Sequence, residues 1–242
     1  MKKVFPFILI ALVAVFWIKA VDFSFASPVV CDGPVIKQTR NIGAFSKIDA
    51  ASVFEIEYRY SSTVSCEIEG PEEMVKAAKV RVSNDVLVFS LNGSFNNNSG
   101  DPLKVRLTGP QFKGGELSGA AELKLLGEFP SAPIDLMLSG ATEFDGNLKS
   151  SDIELNLNGA SEAKIRGRAD KATIVLCGAA ELYGDAFTAD DLTITLSGAS
   201  EARMRVNRKL NAQSSGASHF VYTGTPGNVN RSTSGASSIE SE

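Results

Sequence analysis

Histidine occurs once in these 242 residues, cysteine three times and tryptophan once. The single His and the spacing of Cys31, Cys66 and Cys177, with no C-x-x-C among them, exclude an ordinary zinc site. An excess of basic residues is also missing: the formal net charge is −4, against a nucleic-acid or anionic-membrane partner that would call for a basic patch. No apolar run reaches the roughly 20 residues of a spanning helix. The longest, Val4 to Ile18, has 15. It follows Lys2 and Lys3 and precedes the small residues Ser24 and Ala26, so residues 1–26 read as a secretory signal cleaved after Ala26. A lipid-anchored start at Cys31 is rejected, because "PVVC" has no small residue before the Cys. Removing 1–26 takes away three lysines and one aspartate and moves the charge to −6. The chain is expected to be exported to the periplasm, the outer surface or the medium, meeting the membrane only through that signal. In an oxidising compartment Cys31 and Cys66 are candidates to pair, and Cys177 is read as a small packed residue.

What the sequence has in abundance is one phrase. LSGAAEL (117–123), LSGATEF (138–144), LNGASEA (157–163), LCGAAEL (176–182) and LSGASEA (196–202) are followed by the weaker SSGASHF (214–220) and TSGASSI (233–239). The shared glycines, Gly119, Gly140, Gly159, Gly178, Gly198, Gly216 and Gly235, are spaced 21, 19, 19, 20, 18 and 19 residues apart. Before each Gly the chain alternates: Ile153, Leu155 and Leu157 stand between Glu154 and Asn156, and Leu192, Ile194 and Leu196 between Thr193 and Thr195. A period of two is a half-buried strand, not a helix. After the Gly a second short strand turns one face inward. The L-x-x-L-x-L frame of leucine-rich repeats is absent. The reading is an all-β, parallel β-helix-like solenoid of about 19-residue coils over 113–242, with glycine at the corner where a β-carbon would be opposed.

Stacked coils lie about 4.8 Å apart, so Glu122, Glu143, Glu162, Glu181 and Glu201, each three residues past a corner, form an outward column. These five are the candidate ligand-binding residues. Like charges on adjacent strands repel. Lys124, Asp145, Lys164, Tyr183 and Arg203, two residues further on, offer Glu–Lys and Glu–Arg pairing. The column is either a salt-bridged solvated face or a row of calcium sites. One carboxylate per coil supplies too few of the roughly 6–8 oxygens calcium takes, which favours the first. No metal and no cofactor are expected.

Residues 27–112 read as a β-rich cap for the open end of the stack, with no repeat over 41–112. "VFEIEYRY" (53–60), "SCEIEG" (65–70), "DVLVFSL" (85–91) and "LKVRLTG" (103–109) are strands. "PEEMVKAAKVRV" (71–82) opens as one helical turn, and "NGSFNNNSGDP" (92–102) is a turn-rich, mobile loop.

"GAFSKIDAASVFEIEYRYSSTVSCEIEGPEEM", "VLVFSLN", "LKVRLTGP" and the SGAS ladder, with Phe45 and Ile48 in the leading F-x-x-I, resemble the "putative auto-transporter adhesin, head GIN domain" family over about residues 43–238. The resemblance implies a secreted or envelope-associated bacterial β-solenoid and carries over no catalytic residue.

Of three function classes, catalysis is disfavoured. Asp190 and Asp191 are neighbours that face opposite sides of a strand, and Asp152 is read at the place of Asp191 one repeat earlier. His219 occupies the glutamate column in the sixth coil, a one-off exchange in a weakening repeat. A binding or adhesion module for a glycan or cell-surface component fits best, using small outward Ser, Thr and Asn residues beside the column, with Tyr183 and Tyr222 open to sugar stacking or to filling coil edges. A structural envelope protein is the alternative. Loss of the leucines in the last two phrases suggests a capped monomer.

Overall fold

The computed structural model describes residues 28–96 and 100–242. The proposed signal 1–26, and the part of the mobile-loop expectation that falls on 97–99, lie outside the described residues. Strands Glu143–Gly159, Glu162–Gly178, Glu181–Gly198 and Glu201–Ser214 each run almost a full coil. They stack in parallel, Gly159 against Gly178 and Gly178 against Gly198. The parallel solenoid of about 19-residue coils is as the sequence implies, with about seven turns.

Strand parity is observed as read. Ile153, Leu155 and Leu157 are buried between exposed or half-exposed Glu154 and Asn156. After the corner, the inward column Phe144, Ala163, Leu182, Ala202 and Phe220 alternates large with small, so successive layers interdigitate. The alternation breaks again at Ser151 and Asp152, both exposed. There the buried Ser150 hydroxyl donates to Ala132 O (2.6 Å) and accepts from Asp152 N (3.1 Å), closing a second corner.

The corner glycines all have positive φ, from 75° at Gly235 to 94° at Gly178. A β-carbon on Gly159 would come within 2.9 Å of the Gly140 carbonyl oxygen one coil below. The corner is closed by Ala160 N donating to Gly140 O at 2.8 Å, a bond repeated up the stack.

The N-terminal part is more regular than its sequence suggests. Lys47–Ser52 and Phe54–Tyr60 pair in parallel with Gly114–Gly119 and Glu122–Leu126, placing Ser52 opposite Gly119 and Glu55 opposite Glu122. "AASVFEI" is thus another coil in register, with Ser52 (φ 88°) at its corner. The expectation that nothing in 41–112 repeats is corrected. Beneath this coil, Val86–Leu91 and Leu103–Gly109 add one more parallel layer. Only then do antiparallel strands Val35–Arg40, Ser65–Pro71 and Ala78–Ser83 close the end. Helix Glu72–Ala77 forms where one helical turn is expected. Arg40 Nη2 donates to the carbonyls of Val75 (2.6 Å) and Ala78 (3.3 Å) at its C-terminus, where a cation suits the unpaired carbonyls. In the loop 92–102, Phe95–Asn96 pairs with Val29–Val30.

Two cysteine readings change. Cys31, Cys66 and Cys177 are all free thiols. Cys66 lies opposite Arg40, at the far end of a strand pair whose near end joins Val35 to Pro71. That is about 17 Å of strand at ~3.4 Å per residue, beyond the roughly 7 Å a disulfide tolerates, and Cys31 precedes the Val35 end. Burial pushes the Cys66 thiol up to about 12, with Arg40 pulling the other way. Cys177 is exposed rather than packed, in an outward column with Asn158 and Ser197.

At the opposite end every residue of Asn228–Thr233 is exposed. Arg231 and Thr233 occupy the places held by Ala212 and Ser214 in the coil before. The last layer is thus partly polar in its inward positions, keeping Val229 opposite Leu210 and Ile239 opposite Phe220.

Candidate functional site

The outward glutamate column forms as predicted and is longer by one member. Glu55, Glu122, Glu143, Glu162, Glu181 and Glu201 are in direct register. Lys104 stands beside Glu55 at one end; His219 and then Ser238 follow Glu201 at the other. His219 Nδ1 lies 2.5 Å from the Ser238 hydroxyl and 4.0 Å from Glu240.

Compensation along the column is uneven. Glu162 pairs with Lys164 at 2.6 Å and Glu201 with Arg203 at 3.4 Å, the lateral pairing expected of them. The Tyr183 hydroxyl donates to the Glu181 carboxylate. That bond, more than its burial, pushes the phenol up to about 12. By contrast, Glu55, Glu122 and Glu143 make no side-chain hydrogen bond or ion pair among the described residues. The Glu122 carboxyl is held above the usual carboxylate range, first by burial and then by Glu55 and Glu143, with Lys124 pulling the other way. A cavity of about 110 Å³ opens at this stretch, lined by Glu122, Lys124, Glu143, Asp145, Glu162 and Lys164.

The same scaffold orders its charges differently elsewhere. Around the second corner, Asp152, Lys171, Asp191 and Lys209 follow one another in register with alternating sign. Two coils, not one, therefore separate Asp152 from Asp191. Arg208 grips Asp191 with two 2.7 Å bonds and holds its carboxyl below the ordinary range. Six like charges in line are thus not forced by the fold.

A raised carboxyl pKa favours the proton-bound fold, so ionised Glu122 costs stability above its folded pKa and the cost fades as pH falls through that value toward the unfolded one. Glu122→Gln is therefore expected to raise the unfolding free energy at neutral pH, by up to about 1 kcal/mol, and to change it little in acid. Glu162→Gln, which removes an exposed pair, is expected to stay within about 0.5 kcal/mol of the parent at neutral pH. Urea titrations at two pH values check both; a Glu122→Gln protein less stable at neutral pH would contradict the repulsion.

Other sequence candidates are distributed differently. Thr142, Ser161, Ser200 and Ser218, two past the corner, are buried on the inward face, as the parity of the second short strand implies. Tyr222 is buried and stacks on Phe220 at 6.0 Å, so it fills the interior. Tyr183 is 38% exposed, with Lys164 Nζ 5.7 Å from its ring centre.

A family model described as "Putative auto-transporter adhesin, head GIN domain" matches residues 44–226. No curated protein sequence matches. Among solved structures, a "putative adhesin" from Bacteroides fragilis is 19% identical with a TM-score of 0.81, and the alignment covers 88% of this chain and 100% of that one. A "putative adhesin" from Parabacteroides merdae is 16% identical, with a TM-score of 0.70 over 88% and 98% of the two chains. A "Putative lipid binding protein" from Parabacteroides distasonis is 16% identical, also at 0.70, over 89% and 99%. At such identities the likeness is one of fold.

Proposed function

The chain belongs to the "putative auto-transporter adhesin, head GIN domain" family, and from that premise we propose that it is an exported, non-catalytic binding module of the cell envelope whose glutamate face holds a cell-surface or polysaccharide ligand. The observation that carries this reading is the column itself. Six carboxylates stand in register, three with no side-chain hydrogen bond or ion pair among the described residues, on a scaffold that alternates sign where it need only be stable. Stability given up locally is a common mark of a binding surface. A long, regular β face suits a polymer, since each coil repeats the same outward groups at the same spacing. The ligand binds Glu122, Glu143, Glu162, Glu181 and Glu201 through hydroxyl or cationic groups, and calcium is not required, because each coil contributes one carboxylate.

The test is co-sedimentation of the purified protein with envelope and extracellular polysaccharide fractions, with and without calcium. Saturable retention on one fraction, insensitive to calcium and reduced in a Glu122→Gln/Glu143→Gln double variant, is the expected result. No retention on any fraction would overturn the binding reading in favour of a structural envelope role.

A further inference from the structure

Outward from the glutamates, the same face changes sign. Along one strand the exposed side runs Glu143, Asp145, Asn147, Lys149; along the next it runs Glu162, Lys164, Arg166, Arg168. Lys149 and Arg168 are in register, a like-charge neighbour pair that is unfavourable unless something anionic lies between or above. Lys149 makes no ion pair among the described residues. Arg168 is only loosely engaged, through Nη2 alone, with Asp190 at 3.5 Å and Asp170 at 3.8 Å, which leaves most of its five donors available.

This spot is also one where the solenoid departs from its regular repeat. The interval Gly119 to Gly140 is the longest in the ladder, 21 residues, and its surplus is the loop between Glu122–Leu126 and Ile134–Gly140. The loop lays Phe129 against Tyr58 (ring centres 4.8 Å) and Tyr60 (5.8 Å). On the other side, the pairing of Glu162–Gly178 with Glu181–Gly198 slips by one residue between Lys164 and Gly167, a bulge of the kind that re-aims side chains beside sites. Gly167 has φ 107°, and a β-carbon there would sit 2.7 Å from Asn147 Oδ1 and 2.2 Å from Leu148 O. Between loop and bulge lies a cavity of about 280 Å³ lined by Phe129, Asn147, Lys149, Gly167 and Arg168, with Glu128 also on its lining. That is close to the lower end, roughly 300 Å³, of small-ligand pockets.

We propose that this cavity is a subsite for a carboxylate-bearing sugar ring, a uronic acid unit. The Lys149 ammonium and Arg168 guanidinium hold the carboxylate, Phe129 meets the apolar face of the ring, and the Asn147 amide bonds its hydroxyls. Two cations against Glu128 leave the lining one positive charge in excess, which selects an anionic unit over a neutral one. The inference rests on the binding reading above and narrows its ligand to a polysaccharide that sets an acidic unit at this basic edge and hydroxyl groups along the glutamates.

The experiment is calorimetric titration of the full chain with oligogalacturonate, with its methyl ester as the neutral counterpart. Loss of the charge-assisted bonds is expected to weaken the ester at least about tenfold. Lys149→Glu/Arg168→Glu is expected to abolish oligogalacturonate binding while leaving the thermal midpoint near that of the parent, and Phe129→Leu to weaken it, the leucine keeping an apolar side chain against Tyr58 and Tyr60 in place of the ring. Equal binding of acid and ester, no binding of either, or binding unchanged in the double variant would each overturn the subsite. Retention on an envelope fraction without oligogalacturonate binding removes the subsite and leaves the binding role. Oligogalacturonate binding without retention on any fraction does the reverse.

Discussion

Leu155→Asp is expected to abolish cooperative folding. Leu155 is 1% exposed and lies in the inward column between Leu136 and Ile174, flanked along its own strand by Ile153 and Leu157. Truncating a buried leucine costs about 2–5 kcal/mol, and an unpaired buried carboxylate adds several more. The buried polar residues nearby in the stack, such as Thr142 and Ser161, are neutral hydroxyls that cannot offset a charge. Together these approach the whole stability of an ordinary domain, about 5–15 kcal/mol. Because each coil is held mainly by its neighbours, the lesion strikes the interfaces on both sides of the strand. Thermal melts followed by circular dichroism, with limited proteolysis, read the result: no sigmoidal transition and rapid cleavage. Glu154→Gln, one residue away on the outward face, is expected to stay within about 0.5 kcal/mol of the parent. A soluble Leu155→Asp protein with the parent's midpoint would mean that the two faces of the strand are reversed.

That parity is visible in the sequence because a buried strand with one wet side must alternate, and glycine marks each corner where a β-carbon would strike the coil below. The coil at Ser52 escapes notice for the complementary reason. At Gly119 an added β-carbon would lie 2.9 Å from Ser52 N, and at Gly140 2.7 Å from Gly119 O: each corner is crowded by the one beneath it. Beneath Ser52 the register with Val86–Leu91 ends at Ala50–Phe89, and a groove opens beside Ser52 and Val53. With no lower corner to strike, the position carries a side chain at positive φ. The glycine that identifies a coil is therefore absent from the one coil that does not need it. Glu55 and Ile56, three and four residues past the corner like Glu122 and Leu123, were the remaining signal.

The glutamate column was legible for the same reason as the core, since spacing alone places its members. Which glutamates find a partner was not. Glu122 and Glu162 each have a lysine two residues on, yet only Glu162 closes the pair. That difference arises from the surroundings of each coil: Glu122 stands between Glu55 and Glu143, next to a coil the repeat did not reveal. The cavity beside Phe129 left a fainter trace, an interval of 21 residues among others of 18 to 20. An insertion says where the chain leaves the solenoid but not that it folds back over Tyr58. The aromatic cluster and the bulge at Gly167 needed the assembled coils.

Gly115→Ala tests the join between the ladder and the coil hidden in the N-terminal part. Gly114 and Gly115 lie where neither the repeat nor any turn calls for glycine, in a strand paired on both sides. Gly115 has φ 140° and a β-carbon there would fall 1.9 Å from Ile48 O; on Gly114 (φ 104°) it would fall 1.7 Å from Asp135 O. One glycine is pressed from the coil below and the other from the coil above. The obstacle in each case is backbone, which has no rotamer to change. Gly115→Ala thus adds overpacking, about 1–3 kcal/mol, to conformational strain of about 1–3 kcal/mol, and about 4 kcal/mol is expected in all. Gly159→Ala, at φ 83° with its closest contact 2.9 Å away, is expected to cost about half as much. Urea midpoints compare the two, and equal losses would remove the pinch as the cause. Hydrogen exchange shows where the damage falls. With nearest-neighbour coupling, protection should drop in 47–60 and 86–109 and persist from 143 to 214. Protection lost evenly over both regions would mean that the stack unfolds as one unit, with the Ser52 coil as firmly joined to the ladder as the ladder's coils are to each other.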